Sequence, residues 1–303
     1  MIKIGVIGVG RWGKNYVRVL KELERSMEVR LEAVCDIREE VLEGIKKEFN
    51  VPMVKTDYIE LLKHVDAVII ATPIDVLAKV SKEALSEKKH ALIEKPVATA
   101  SREAEELYRL AIESKVIAVP GMIMRFNSAV STLKTLLRTE PPLYIVFKRL
   151  SRRPKHMVSY PLLLDLGVHD IDLCRYLTED DVMTVVKAHR FVLGCYDEVI
   201  MATLKMNRGT YCHIHVDGVS PYKVREIDIV TSHSFIRADT NTNKITVYSS
   251  TGEKTIHGEL YEPLKKEVQW FIEIVKARPI HYQPNLTDAV SFLRVVEAIS
   301  TLL

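Results

Sequence analysis

Short apolar runs alternate with longer amphipathic segments over the first 120 residues of the chain. The apolar runs are mostly continuous, as in strands buried on both faces, and the amphipathic segments have helical spacing. Strands are predicted at Ile2–Ile7, Arg30–Cys35, Ala67–Ala71, Ala91–Ile93 and Val116–Val119, and helices at Lys14–Glu24, Arg38–Phe49, Val76–Ser86 and Ser101–Ser114. Alternation of this kind predicts a doubly wound α/β sheet with parallel strands.

The pattern changes near residue 120, where strand-like segments begin to follow one another. Several are joined by short turns such as Asn207-Arg208-Gly209, which favours a mostly antiparallel sheet. The predicted strands are Leu143–Arg149, Val182–Val192, Glu198–Asn207, Tyr211–Val216, Lys223–Val230, Ser234–Asp239 and Lys244–Ser249. Helices are predicted at Ser128–Arg138, around Leu162–Leu173, at Leu264–Lys276 and at Thr287–Leu302. We therefore expect an α/β domain over residues 1–120 and an α+β domain over residues 121–303.

Composition narrows the class of protein. The 303 residues are 47% hydrophobic and 27% charged, as in a soluble globular protein. A net charge of +3 and the lack of a basic tail argue against a nucleic-acid partner. No apolar run approaches the roughly 20 residues of a membrane helix, and the start lacks signal-peptide features. The four cysteines, without a CxxC pair, suit a reducing cytoplasm; they are Cys35, Cys174, Cys195 and Cys212.

A glycine-rich loop follows the first strand and opens the first helix. Gly8-Val9-Gly10-Arg11-Trp12-Gly13 matches G-x-G-x-x-G in the strand–helix context that this motif requires. Glycines let the backbone approach a pyrophosphate, and the helix N-terminus offers free N–H groups to it. Asp36 closes the second strand about 20 residues later, where an acid binds the adenine ribose hydroxyls. The unit predicts a dinucleotide site, with capping of the next helix as the alternative role of Asp36.

Asp36 and Arg38 bear on the choice of cofactor. A carboxylate would repel a 2′-phosphate, so Asp36 favours NAD over NADP. Arg38 keeps NADP open, because its guanidinium could bind that phosphate, although it could equally stack on adenine. The sequence therefore predicts NAD, with NADP as the alternative.

Two strand ends carry further candidate residues. The strand Ala91–Ile93 runs into Glu94-Lys95-Pro96, and Ala67–Ala71 runs into Thr72-Pro73. A parallel sheet binds its ligand beyond the carboxyl ends of its strands, so both segments should line the cofactor crevice. A solvent-exposed lysine after a strand is the alternative for Lys95.

A histidine and three acids interrupt the apolar stretch Leu162–Leu173. Asp165, His169 and Asp172 are spaced i, i+4 and i+7, which places them on one face of an α-helix. A histidine between two acids can be oriented by one carboxylate while it transfers a proton. A purely structural polar face is one alternative. A metal site is another, but nothing joins this group to further ligands such as His213 and His215, and no metal is predicted.

Taken together, the glycine loop, Glu94-Lys95-Pro96 and Asp165-x-x-x-His169-x-x-Asp172 resemble the family of glucose–fructose oxidoreductase, inositol dehydrogenase and MocA-type sugar dehydrogenases. The resemblance covers essentially the full chain. It implies an N-terminal Rossmann domain, a C-terminal α/β domain with an open sheet, and assembly as a homodimer or homotetramer. It also implies hydride transfer between a sugar or cyclitol carbon and a nicotinamide cofactor. Carried over, the catalytic group is Lys95, Asp165 and His169. The predicted cofactor contacts are Gly8, Gly10, Arg11, Trp12, Gly13, Asp36, Arg38, Thr72, Pro73, Glu94 and Lys95.

A narrower resemblance is to the UDP-N-acetylglucosamine 3-dehydrogenase branch, carried by Gly121–Asn127, Phe147–Leu150 and Glu262–Phe271. Met122 and Ser128 depart from that branch, which tends to have histidine and proline there. The basic run Lys148–His156 suits a diphosphate, and a solvated loop is its alternative. The predicted substrate contacts are Lys95, Arg125, Asn127, Arg149, Arg152, Asp165 and His169. Competing readings are a dehydrogenase of free sugars or cyclitols and a non-catalytic NAD-binding regulatory protein.

Overall fold

The computed structural model describes residues 1–154, 157, 159–193, 197–279, 281 and 283–303. Cys195, and Lys155 and His156 of the basic run, lie outside the described residues. The chain divides into two compact units, Met1–Met122 with Leu264–Val290, and Ile123–Pro263 with Ser291–Leu303. The two-domain division with a boundary near residue 120 stays a prediction.

The first unit contains a six-stranded parallel sheet in the order β3-β2-β1-β4-β5-β6. Its strands are β1 Ile2–Ile7, β2 Val29–Cys35, β3 Met53–Lys55, β4 Ala67–Ile70, β5 His90–Glu94 and β6 Ala118–Gly121. The helices between them are α1 Gly13–Leu23, α2 Glu39–Phe49, α3 Tyr58–Leu62, α4 Ile74–Ser86 and α5 Ser101–Ser114. Every residue of β4 and β5 is buried, as their continuous apolar runs predict. The doubly wound α/β fold is confirmed.

The second unit is built on an eight-stranded sheet in the order β14-β13-β12-β11-β7-β10-β9-β8. Its strands are β7 Tyr144–Leu150, β8 Val182–Leu193, β9 Asp197–Met206, β10 Tyr211–Asp217, β11 Val224–Val230, β12 Ser234–Asp239, β13 Lys244–Ser249 and β14 Gly252–His257. The pair β7–β10 is parallel, whereas the remaining pairs are antiparallel. The mostly antiparallel sheet expected for this half of the chain is confirmed.

The remaining helices include the stretch with the histidine and acids. They are α6 Ser128–Leu136, α7 Val168–Thr178, α8 Pro263–Ala277 and α9 Leu286–Thr301, with a 3₁₀ turn at Ile123–Phe126 and a π turn at Leu163–Gly167. The N–H of Val168 donates to the carbonyl of Leu163, five residues back, so the α-helix begins only at Val168. Asp165 lies in the π turn, so the regular α-helix predicted around Leu162–Leu173 does not include it. That Asp165 and His169 share one face stays a prediction.

Across the described residues, we find no helix that combines the length and the apolar character needed to span a bilayer.

Candidate active site

The glycine loop packs its own backbone too closely for side chains at two positions. Gly8 has φ +85°, and a Cβ there would lie 2.6 Å from the carbonyl oxygen of Ala71. A Cβ on Gly13 would lie 1.8 Å from the carbonyl oxygen of Gly8. At Gly10 the nearest atom is Nη2 of Arg38 at 3.3 Å, the end of a flexible side chain. Gly8 and Gly13 therefore shape the loop, while Gly10 presents bare backbone to the space beside it.

The loop leads directly into α1 and borders a cavity of about 300 Å³. The cavity lies against α2 and is lined among others by Gly10, Arg11, Lys14, Arg38 and Gly44. Glu40 and Glu48 also line it, and Lys14 and Arg38 pair with Glu48 and Asp36. The features that suit a diphosphate are therefore the bare loop backbone and the helix N-terminus, with Arg11 beside them. The residues present therefore fit a dinucleotide, with the glycine loop to hold its phosphates.

Asp36 follows β2 and faces the same loop. Its Oδ2 accepts a hydrogen bond from the Val9 N–H at 3.1 Å. Arg38 donates to both carboxylate oxygens, from Nε to Oδ1 at 2.9 Å and from Nη2 to Oδ2 at 3.1 Å. Burial alone would raise the pKa of Asp36, but the hydrogen bonds from Arg38 and Val9 hold it below the ordinary aspartate value. Asp36 is thus an ionised acid at the end of β2, as a ribose-binding acid must be.

The alternative role predicted for Asp36, capping of the next helix, is also present in part. Its Oδ1 accepts from the backbone N–H of Arg38, the residue that precedes α2, at 3.1 Å. The carboxylate therefore organises the entry into α2 while its position beside the glycine loop is kept.

Thr72 and Pro73 connect β4 to α4 next to the glycine loop. The Thr72 backbone nitrogen is 2.8 Å from where a Gly8 Cβ would lie. The Thr72 hydroxyl oxygen is buried and has no hydrogen-bond partner among the described residues. A buried hydroxyl without a partner is costly, and a bound ligand that supplied one would remove the penalty.

Glu94 is the last residue of β5, and both of its carboxylate oxygens accept hydrogen bonds from the protein. Its Oε1 accepts from the Trp12 indole N–H and from the Tyr16 hydroxyl at 2.5 Å, and its Oε2 accepts from the Lys95 N–H at 3.0 Å. Glu94 therefore ties the glycine loop to the backbone of Lys95, whose bond to Pro96 is cis. The first unit thus brings together the predicted residues at the glycine loop and at the ends of β2, β4 and β5.

Tyr16 and Glu267 were not among the predicted site residues, although Glu267 lies in the Glu262–Phe271 segment of the narrower resemblance. The Tyr16 hydroxyl lies 3.4 Å from Oε2 of Glu267, and both residues are buried. The signal for Glu267 was available, because it sits on the apolar face of α8 with Leu264, Val268 and Phe271. An acid on the buried face of a helix requires a polar partner or a proton.

In the second unit, Asp165 and His169 are both buried, at 6% and 8% exposure. Arg153 lies beside Asp165, with Nη1 at 4.0 Å from Oδ2. His169 lies in the first turn of α7, immediately after the π turn. Both side chains are therefore removed from bulk water, which excludes an ordinary solvated helix face and suits proton transfer.

The other two acids of this stretch form buried ion pairs. Arg149 donates from Nε and Nη2 to Oδ1 of Asp170 at 2.9 and 2.6 Å. Arg125 donates from Nε to Oδ2 of Asp172 at 2.8 Å and from Nη2 to Oδ1 at 2.5 Å. These guanidinium groups neutralise carboxylates of the protein, so structural roles account for Asp170 and Asp172. The substrate-binding roles of Arg125 and Arg149 stay predictions.

The two other predicted substrate contacts differ in their surroundings. Asn127 caps α6, because its Oδ1 accepts from the N–H groups of Ala129 and Val130 at 3.0 and 3.2 Å. Arg152 is exposed. The described residues contain no group of three or more His, Cys, Asp or Glu side chains arranged to hold a metal ion. His213 instead shares a hydrogen bond with the Thr203 hydroxyl at 3.1 Å.

Comparison with known proteins gives matches in both halves of the chain. Residues 2–122 match the oxidoreductase family with an NAD-binding Rossmann fold, and residues 147–252 match the GFO/IDH/MocA C-terminal domain. The chain is 26% identical to UDP-N-acetylglucosamine 3-dehydrogenase from Acidithiobacillus ferrooxidans, over 98% of this chain and 95% of that protein. It is 29% identical to the uncharacterized oxidoreductase YrbE from Bacillus subtilis, over 61% of this chain but only 56% of that protein.

Solved structures show the same fold. The structure of the A. ferrooxidans enzyme superimposes with a TM-score of 0.92 at 23% identity, covering 100% of this chain and 97% of that one. The structure of a scyllo-inositol dehydrogenase from Lactobacillus casei with bound NAD(H) and scyllo-inositol superimposes with a TM-score of 0.83 at 19% identity. The match covers 100% of this chain and 97% of that one. With its two matched domains spanning most of the sequence, the chain belongs to the GFO/IDH/MocA family and is an NAD-dependent oxidoreductase.

Proposed function

We propose that the protein is a dehydrogenase of a nucleotide sugar, of the UDP-N-acetylglucosamine class, and that it oxidises a ring hydroxyl to a ketone. The observation that carries the reaction class is the glycine loop with ionised Asp36 beside it, which fits NAD. The substrate class is supported by similarity over 98% of the chain to a UDP-N-acetylglucosamine 3-dehydrogenase.

The cofactor would be held by Gly8, Gly10 and Gly13 through its phosphates and by Asp36 through its adenine ribose. Thr72 offers a hydroxyl that the described residues leave without a partner. When bound, NAD supplies the carbon that accepts the hydride. NAD is proposed over NADP, because Asp36 is held in its charged form beside the loop.

The acid–base chemistry is proposed for Lys95, Asp165 and His169. His169 removes the hydroxyl proton of the substrate on an imidazole nitrogen, and Asp165 orients the histidine or the sugar. The Lys95 ammonium donates a hydrogen bond to the same substrate oxygen, which stabilises the negative charge that develops there. The burial of Asp165 and His169 supports this assignment, because side chains removed from bulk water keep a defined orientation and protonation chemistry distinct from that of a solvated surface.

The proposal is tested by mixing the protein and NAD with a panel of UDP-sugars, free sugars and inositols and recording NADH absorbance. We expect turnover on a UDP-N-acetylhexosamine, and a fall in kcat of about 10²- to 10⁴-fold for Lys95→Ala and His169→Ala. Lys63→Ala and His64→Ala remove an exposed lysine and an exposed histidine and should leave kcat unchanged. Wild-type kcat in both active-site variants would overturn the assignment.

A second candidate is a dehydrogenase of free sugars or cyclitols, favoured by the fold shared with an inositol dehydrogenase. In the same panel, turnover of inositols without turnover of UDP-sugars would select it. Binding of NADH without turnover of any compound would select a regulatory relative. Assembly as a homodimer or homotetramer and a cytoplasmic location stay predictions, the first measurable by sedimentation.

A further inference from the structure

Three polar side chains form a buried chain in the first unit: Glu94 at the end of β5, Tyr16 in α1 and Glu267 in α8. The Tyr16 hydroxyl oxygen lies 2.5 Å from Oε1 of Glu94 and 3.4 Å from Oε2 of Glu267. Exposure is 9% for Glu94, 0% for Tyr16 and 1% for Glu267. Two carboxyl groups thus share one hydroxyl in a space that excludes water, and this arrangement constrains where the protons are.

Counting donors locates one proton. A tyrosine hydroxyl has a single hydrogen, and its short contact with Glu94 uses that hydrogen. The contact between Tyr16 and Glu267 is then attractive only if Glu267 carries a proton and donates it to the hydroxyl oxygen. Glu94 does not require a proton, because its oxygens also accept hydrogen bonds from the Trp12 indole N–H and the Lys95 N–H.

The other oxygen of Glu267 agrees with this count. Oε1 is buried and has no hydrogen-bond partner among the described residues. An ionised carboxylate left in that state would bear the full cost of a buried, unsolvated charge, whereas a neutral carboxylic acid loses much less.

Charged neighbours point in the same direction. Burial raises the pKa of both carboxyl groups, but Lys95 and the hydrogen bonds from Tyr16 and Trp12 counteract the rise at Glu94. At Glu267 the negative charge of Glu94 adds to the effect of burial, and only Tyr16 counteracts it. Burial and the two acids also raise the pKa of Tyr16, so the phenol keeps its hydrogen.

We propose that Glu267 is a protonated carboxylic acid that donates to Tyr16, which donates to ionised Glu94, and that Glu267 thereby acts as a positioning residue for Glu94 and the Lys95 backbone. The chain carries a single negative charge, placed on the acid that contacts Trp12 and Lys95. The positioning role rests on the function proposed above for Lys95, whereas the location of the proton does not.

Infrared spectroscopy of the full-length protein tests the location of the proton without any substrate. We expect the carbonyl stretch of a protonated, buried carboxylic acid near neutral pH in the wild type and its loss in Glu267→Gln. Glu60→Gln removes an exposed acid that pairs with Lys63 and should keep the band. The absence of the band from the wild type, or an unchanged band in Glu267→Gln, would overturn the proposal.

Kinetics tests the positioning role. Glutamine retains an N–H that can donate to Tyr16, so Glu267→Gln should keep kcat within about twofold of the wild type. Glu267→Leu leaves the Tyr16 oxygen without a donor, and Tyr16→Phe removes the hydrogen bond to Glu94. We expect kcat to fall about tenfold in both, with KM for the sugar nearly unchanged, as a loss of 1.4 kcal/mol would give. Equal kcat in Glu267→Gln and Glu267→Leu would contradict the positioning role. If the wild-type protein turned over no substrate, the proposed function would fail, whereas the infrared experiment would still decide where the proton lies.

Discussion

The guanidinium of Arg38 donates hydrogen bonds to both carboxylate oxygens of Asp36, with Nε 2.9 Å from Oδ1 and Nη2 3.1 Å from Oδ2. Asp36 was expected to favour NAD, and Arg38 was the reason for keeping NADP as the alternative. The Arg38 guanidinium therefore partly neutralises the carboxylate that is expected to select NAD. Because Arg38 is half exposed, the pair also remains free to exchange partners with a ligand.

The Asp36–Arg38 pair predicts how the cofactor preference responds to mutation. Arg38→Ala removes the cation, so the uncompensated Asp36 charge should raise the ratio of Kd for NADPH to Kd for NADH by about tenfold. Fluorescence titration with both reduced cofactors measures the ratio. Lys63→Ala removes an exposed cation paired with Glu60 and serves as the control. A ratio equal to the wild type's would show that Arg38 has no part in the choice.

The glycine loop predicts opposite results for two alanine substitutions. At Gly13 a Cβ would meet backbone at 1.8 Å, so Gly13→Ala should lower the free energy of unfolding by about 2 kcal/mol or more. At Gly10 the added methyl group meets only the end of the Arg38 side chain, so the free energy of unfolding should change by less than about 0.5 kcal/mol. Gly10→Ala should nevertheless weaken NADH binding if this backbone carries the phosphates. Thermal unfolding and NADH titration separate the two effects.

The buried pair of Arg125 and Asp172 predicts a loss of stability. Asp172→Asn leaves the Arg125 charge buried without its carboxylate, which should cost about 3–5 kcal/mol in the free energy of unfolding. The double variant Arg125→Met, Asp172→Leu removes both charges and should recover at least half of that loss. Denaturant unfolding measures all three proteins. If Asp172→Asn kept full stability and raised only KM, the pair would serve the substrate rather than the fold.

Adjacent arginines of the basic run predict different phenotypes. Arg152 is exposed, so Arg152→Ala should raise KM for a UDP-sugar and leave the thermal midpoint unchanged. The Arg153 guanidinium is buried and donates to the carbonyls of Met157 and Tyr160 at 3.2 and 2.7 Å. Arg153→Ala should therefore lower the free energy of unfolding by about 2 kcal/mol or more. An unchanged KM in Arg152→Ala would remove this residue from the substrate site.

The proton on Glu267 predicts a pH dependence of stability. Its pKa is raised in the folded protein, so the folded state keeps a proton that the unfolded state releases above the ordinary value of 4.5. The contribution to the free energy of unfolding is therefore complete below that pH and declines as the pH rises. Glu267→Gln lacks this group, and its thermal midpoint relative to the wild type should climb as the pH is raised above 4.5. Parallel curves for the two proteins would contradict the assignment.

Local patterns predicted most of the fold. Continuous apolar runs located β1, β4 and β5, and the glycine loop with Asp36 followed from its strand–helix context. Strand β14 was missed because five of its six residues are exposed and show no apolar alternation. Strand β3 was missed because it has only three residues, all half-buried.

The site was predicted unevenly, for a physical reason. The spacing of Asp165 and His169 predicted that both are catalytic, which stays a prediction, and the π turn departs from the regular α-helix assumed for them. The partners of Asp170 and Asp172 were not found, because Arg149 and Arg125 lie 21 and 47 residues away in other elements. Contacts of that kind depend on packing between elements, which the periodicity of a single segment does not contain.

Tyr16 and Glu267 are 251 residues apart, yet they belong to the same unit. A ribosome releases all six strands of the parallel sheet, and then the whole eight-stranded sheet, before it releases α8. Until then the first unit lacks the buried Val268, Phe271 and Ile272, and Glu94 lacks the far end of its hydrogen-bonded chain. The unit whose synthesis begins first therefore remains incomplete until its last segment, Leu264–Val290, is made, and a nascent chain cannot hold Lys95 in its final setting until translation has almost ended.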